Sequence, residues 1–197
     1  MCSVIGFSGK YDEAILNEVY KHSRIRGLHA FGFAYCNDGT LEVRKFLDYE
    51  KFVNTLNEIK PNKFVAHFRY STSGDYKDAD NNQPLTLNDT ALVFNGVISQ
   101  KPKKEMEKEF GCELSSENDG WILLNNFKAF KELKQTKMTY ASLFLQNNYI
   151  TALRNKKRPL WKGNDGDNIY IASTKDILQR SGIANCKLIE HSKYHQW

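Results

Sequence analysis

The chain begins Met-Cys, and Cys2 is its residue best suited to nucleophilic chemistry. A cysteine thiolate attacks well even when sparsely populated at neutral pH. It needs a base for the thiol proton. Removal of Met1 would supply one on the same residue, because a free α-amino group titrates at about 7.7–8.0. With Met1 retained, that nitrogen is locked in a peptide bond. The plain alternative for Cys2 is a small apolar residue buried in a first strand. Further polar groupings follow: Arg26-Gly27, HFRYSTSG over 67–74, NQPL over 82–85, FNGVI over 94–98 and SENDG over 116–120. Each alone is a weak signal. Arg69 carries a planar fork suited to a carboxylate, or forms a surface ion pair. Thr72 offers a hydroxyl or merely a turn, and Asp119 a counter-charge for an ammonium or a helix cap. Asn95-Gly96 is also a common hairpin turn. The four cysteines, Cys2, Cys36, Cys112 and Cys186, show no CxxC or Cys/His spacing. No metal, no other cofactor and no disulfide framework is expected from them.

The elements that must carry these residues alternate between strand and helix periods. CSVIGF reads as a short apolar strand, and YDEAILNEVYKHS as an amphipathic helix with a stripe at Ile15, Leu16, Val19 and Tyr20. HAFGFAYCNDGTLEVRKFL predicts two strands joined at Asn37-Asp38-Gly39. A helix at YEKFVNTLNEI stops before Pro61. KFVAHFRY and TALVFNGVI read as buried strands, separated by a polar loop from Ser71 to Asn88 that is long enough to suggest binding. KPKKEMEKEF predicts a solvated helix, and Asn118 or Asp119 can cap a helix through GWILLNNFKAF. TYASLFLQ, YITALR, NIYIAS and CKLIE complete the strands, with a short helix at KDILQRSG. The whole indicates an α+β layered domain without repeats or linkers.

In this order, the groupings resemble the glutaminase domain of class II glutamine amidotransferases, the N-terminal-nucleophile family that includes glucosamine-6-phosphate synthase and amidophosphoribosyltransferase. There a cysteine follows the initiator methionine. Then come Arg-Gly, His-x-Arg-(Trp/Tyr)-(Ala/Ser)-Thr, a (Gln/His)-Pro pair, Asn-Gly at a strand end, and an aspartate in a (Ser/Thr)-Asp-(Ser/Thr)-Glu stretch. LRNKKRPLWKG and NIYIAS extend the likeness to about Ser173. The resemblance implies a four-layer αββα sandwich, with two antiparallel sheets between helical layers. It implies glutamine as substrate, hydrolysed at its side-chain amide through a γ-glutamyl thioester on Cys2. Asn95 would supply its side-chain amide and Gly96 its backbone N–H to the oxyanion. Arg69, Thr72 and Asp119 would hold the amino-acid end, and Arg26 with Gly27 would lie on a loop closing beside the nucleophile. His67 is read as a packing or hydrogen-bonding residue and not as a base. The sequence departs from the pattern at His29, where aspartate is frequent, at Phe94, where histidine is, and at Gly120-Trp121, where a hydroxyl residue and glutamate are.

With 197 residues, 41% apolar, the chain suits one domain over 1–197. Its net charge of +5 could suggest nucleic acid, but lysines and glutamates interleave at helical spacing, so a nucleic-acid ligand is not expected. No apolar run approaches a membrane span and no export signal leads the chain, which points to a cytoplasmic protein without membrane contact. The synthases deliver ammonia to a second catalytic domain, for which 197 residues leave no room. The expected partner is therefore a separate acceptor protein. The alternatives are a catalytically silent binding or regulatory module, and an amidohydrolase of another small amide or γ-glutamyl substrate.

Overall fold

Successive strand side chains point to opposite faces, so a strand buried at successive positions is covered on both sides. That is the condition of the first strand in the computed structural model, which describes residues 1–71, 74–126 and 138–197. Strand β1 (Ser3–Ser8) is buried at five successive positions. It is followed by α1 (Glu13–Arg24), β2 (Ala30–Asn37), β3 (Thr40–Phe46), α2 (Tyr49–Ile59) and β4 (Lys63–Arg69). After a 3-10 turn at Ala79–Asn81 come β5 (Leu85–Leu87), β6 (Thr90–Val97), α3 (Lys103–Phe110) and α4 (Gly120–Asn125). The remaining elements are β7 (Thr139–Gln146), β8 (Tyr149–Arg154), β9 (Trp161–Asp165), β10 (Asn168–Ala172), α5 (Lys175–Arg180), β11 (Lys187–Leu188) and β12 (His195–Gln196).

The strands form a seven-stranded sheet, ordered β11-β9-β10-β1-β4-β2-β3, and a five-stranded sheet, ordered β12-β8-β7-β6-β5. Every pairing is antiparallel. One face of the larger sheet presents Ile5, Phe7, Phe33 and Phe64 to Leu16 and Tyr20 of α1, Phe52 of α2 and Leu178 of α5. Its other face meets the smaller sheet through Val4, Val65, Val93 and Leu143. The far face of the smaller sheet packs Leu92, Phe94 and Phe144 under Met106 of α3 and Ile122 of α4. These are the four layers, helix, sheet, sheet, helix, that the family resemblance implied.

Local chemistry sets the boundaries. Asp12 and Asp48 accept N–H bonds from Ile15 and Lys51 and so start α1 and α2. Lys60, with φ of 50°, ends α2 ahead of Pro61. Asp38 and Gly39, both at positive φ, make the two-residue hairpin between β2 and β3. The sequence reading missed β9, which pairs with β10 around the Gly166 turn, and the short β5 and β12. CKLIE is reduced to the two residues of β11. The helix expected from Gly120 runs to Asn125 and is capped by Asn126, and the rest of its expected stretch lies outside the described residues. Among the described residues no helix is long and apolar enough to cross a membrane.

Candidate active site

Strand register assembles the site. β1 pairs with β4 so that Ser3 faces Phe68 and Val4 faces His67. Val4 and Val65 look into the layer between the sheets. By alternation Cys2, His67 and Arg69 look the same way, at the end of the sheet where β1 starts and β4 stops. The backbone of Tyr70 brackets the Cys2 sulfur: its N–H donates to Sγ at 3.5 Å, and its carbonyl lies 3.7 Å away. Burial pushes the thiol pKa up, while the Tyr70 N–H, the N-terminal amine, Arg69 and Arg26 pull it down. The thiol is therefore neutral at rest and must lose its proton during any attack.

The opposing wall comes from β6. Phe94 N–H turns away from β7 and donates to Gln83 Oε1 at 2.6 Å. Two residues on, the Gly96 N–H points along the same edge, past the end of the β5 pairing at Leu85↔Leu92. Gly96 itself lines the cleft that also contains Cys2, Arg69, Gln83 and Asp119. A side chain at 96 would collide with the Thr139 carbonyl, 1.9 Å from the Cβ position. Asn95, 4% exposed, lies on the inner face with Val93 and makes no side-chain hydrogen bond among the described residues.

Arg69 and Asp119 are engaged within the protein. Arg69 Nη1 donates to Asn82 Oδ1 at 2.6 Å, and Nη2 to Ser71 Oγ and the Gly74 carbonyl at 3.3 and 3.2 Å. Asp119 Oδ2 accepts the N–H groups of Ile98 and Ser99 at 2.6 and 3.1 Å. Burial raises its pKa and these two donors oppose the rise. The side chain that starts α4 is Asn118, which accepts the Gly120 N–H at 2.9 Å. Arg26 Nε donates to the Cys2 carbonyl at 3.3 Å. Gly27 brings that loop onto β4, since a Cβ there would stand 2.2 Å from the Phe68 carbonyl oxygen. Thr72 lies outside the described residues. The structure thus brings Cys2, Arg69, Gly96 and Asp119 to one cleft, with Asn95 between two of its lining residues and Arg26 on the Cys2 carbonyl.

His67 is fully buried beside Arg69, and burial, then that neighbouring charge, push its pKa down to about 3. The imidazole is neutral at ordinary pH and too weak a base for the thiol proton. Sequence reasoning assigned no role to Asn82 and Gln83, which hold Arg69 and Phe94. The NQPL run that contains them was the available signal.

Each departure from the family pattern has a physical account. His29 Nδ1 accepts the Ser71 N–H at 2.9 Å, so an acceptor stands where aspartate is frequent. Its ring stacks between Tyr70 and Tyr76 at 4.9 and 5.0 Å. Phe94 and Gly120 fit each other, for a Cβ at 120 would stand 2.4 Å from the Phe94 ring. Trp121 donates from Nε1 to Ser116 Oγ at 3.1 Å.

An isomerizing glutamine–fructose-6-phosphate aminotransferase of Shewanella oneidensis is 30% identical to this chain over 128 residues, 62% of the chain and 21% of that protein. The enzyme of the same name from Francisella tularensis is 26% identical over 172 residues, 80% of the chain and 27% of that protein. The solved glutamine phosphoribosylpyrophosphate amidotransferase of B. subtilis superposes on the whole chain with a TM-score of 0.76, at 22% identity and over 49% of its own length. The chain resembles the class II glutamine amidotransferases in sequence and in fold. No family model matches it. It spans 21% and 27% of the curated relatives, so the resemblance concerns one portion of those longer enzymes.

Proposed function

We propose that the protein is a glutamine amidohydrolase of the class II type, with Cys2 as its nucleophile, and that it supplies ammonia to a separate acceptor protein. The observation that carries this reading is the joint location of the Cys2 thiol, the Gly96 backbone, Arg69 and Asp119 on one cleft. After loss of Met1, the α-amine of Cys2 takes the thiol proton as sulfur bonds to the side-chain carbonyl carbon of glutamine. The oxyanion receives hydrogen bonds from the Gly96 N–H and the Asn95 amide. The ammonium returns its proton to the departing nitrogen, the C–N bond breaks, and ammonia leaves a thioester. Water then attacks with the same amine as base, the C–S bond breaks, and glutamate departs.

Arg69 would grip the substrate carboxylate by giving up its contacts to Ser71 and Gly74. The second oxygen of Asp119 would meet the ammonium, Thr72 would add a contact nearby, and Arg26 would close the loop beside the nucleophile. The present engagement of Arg69 and Asp119 inside the protein favours a second reading, a silent module that keeps these residues for structure alone. A glutamine-mimicking diazo-ketone separates the two. Intact mass should show loss of Met1 and one adduct on Cys2, absent in Cys2→Ser. Loss of Met1 with neither adduct nor glutamate release establishes the silent module. Recovery of a synthase bound to the protein from its native source tests the ammonia-transfer step.

A further inference from the structure

Two cations converge on the N-terminus. Arg26, in the loop after α1, places Nη2 4.0 Å from Met1 Sδ, and Arg158, between β8 and β9, places Nη1 3.4 Å from the same sulfur. Because Arg26 Nε holds the Cys2 carbonyl at 3.3 Å, covalent geometry keeps it within roughly 7 Å of the Cys2 nitrogen. Met1 Sδ is joined to that nitrogen through the methionine side chain, which brings Arg158 within roughly 10 Å. Arg158 Nε also donates to Thr139 Oγ1 at 3.3 Å, the hydroxyl that accepts the Val97 N–H at 3.2 Å. The guanidinium is therefore fastened to the strand end that carries Asn95 and Gly96. Among the described residues neither arginine pairs with a carboxylate. Burial, then repulsion from Arg158, depress the pKa of Arg26.

We propose that Arg158, together with Arg26, holds the liberated α-amine of Cys2 in its neutral form, ready to accept the thiol proton. An ammonium at that position would stand beside two like charges, whereas the free amine would not. This rests on the removal of Met1 in the function proposed above. Arg158 touches no reacting atom; it is a positioning residue that acts through the amine. The other titratable groups that share the cleft with Cys2 and its thiol are Arg69 from β4, neutral His67, Tyr70, and the carboxylates of Glu117 and Asp119. Arg69 acts in the same direction as Arg158, and the carboxylates act against it from across the cleft.

At roughly 10 Å, with an effective dielectric constant of about 20–80, one cation lowers the amine pKa by about 0.3–1.2 units. The N-terminus is open to solvent, Met1 being 63% exposed, which favours the lower part of that range. The test uses the chain released from a cleavable fusion so that it begins at residue 2, in a Cys2→Ser background where the amine titrates without a neighbouring thiol. Followed by NMR, the amine pKa should rise by about half a unit in Arg158→Gln and return in Arg158→Lys, and the difference should shrink in high salt. An amine unmoved by Arg158→Gln, or unrestored by lysine, overturns the proposal. Glutamate release by the Cys2 chain is a separate readout, and the acid limb of its kcat/KM profile should move with the amine. An inactive chain with a shifted amine refutes the proposed function alone; an active chain with an unmoved amine refutes this inference alone.

Discussion

The fit of Phe94 against Gly120 makes a quantitative prediction. A Cβ at position 120 would stand 2.4 Å from Phe94 Cε1 and 2.9 Å from Cδ1. Ordinary van der Waals contact begins near 3.4 Å, so Gly120→Ala requires the ring to retreat by about 1 Å. Phe94 is 3% exposed and packs with Trp121 and Ile122 in the outer core of the smaller sheet, where little room exists for that retreat. Overpacking of this kind costs about 1–3 kcal/mol, and the helical preference of alanine over glycine returns less than about 1 kcal/mol. Phe94→Leu removes the ring edge that Cβ would strike, at a cost of about 1 kcal/mol from lost contacts. The methyl group of Gly120→Ala then enters the space the ring edge vacated. Urea unfolding of the wild type, both single variants and the double variant should show the double costing about 1–2 kcal/mol less than the sum of the singles. Additivity within about 0.3 kcal/mol would refute the claim that Gly120 is small because Phe94 is large.

Gly96→Ala should reduce kcat by about a hundredfold or more, because the collision with the Thr139 carbonyl at 1.9 Å displaces the backbone proposed to carry the oxyanion donor. Loss of stability alone, with kcat intact, would remove Gly96 from the site. His67 binds its proton at about pH 3 when folded and near its ordinary 6.5 when unfolded, so the unfolded chain takes up more protons between those values. Stability should therefore fall as pH drops from 6.5 towards 3, by up to about 1.4 kcal/mol per unit, and His67→Leu should flatten this slope in unfolding titrations.

β1 to β4 and the helices α1 and α2 that cover them were legible because their period and their caps agree: Asp12, Asp48 and Asp38-Gly39 each announce a boundary by side-chain or backbone chemistry. β9 was missed because WKGND has little apolar alternation and is held by register with β10 and β11. The candidate site residues stand out in the sequence only in combination, since Asn-Gly or a lone arginine has a commonplace alternative. The engagement of Asp119 with the Ile98 and Ser99 N–H groups could not be read from SENDG, because it depends on where β6 ends. Arg158 stands beside Lys156 and Lys157 with nothing in the sequence to give it a target, which comes only from the fold that carries the segment between β8 and β9 to Met1.

β1 lies inside its sheet, between β4 and β10, and the Val4 N–H is received by Ser173 Oγ at 2.9 Å. This strand thus waits for chain made 169 positions later before it is enclosed. Until residues 168–172 have been made, β1 lacks one of its two neighbours, and Cys2 stands before a strand with only half its seat. On the proposed function, competence therefore waits for β10, and a nascent chain without that strand is not yet able to attack amides.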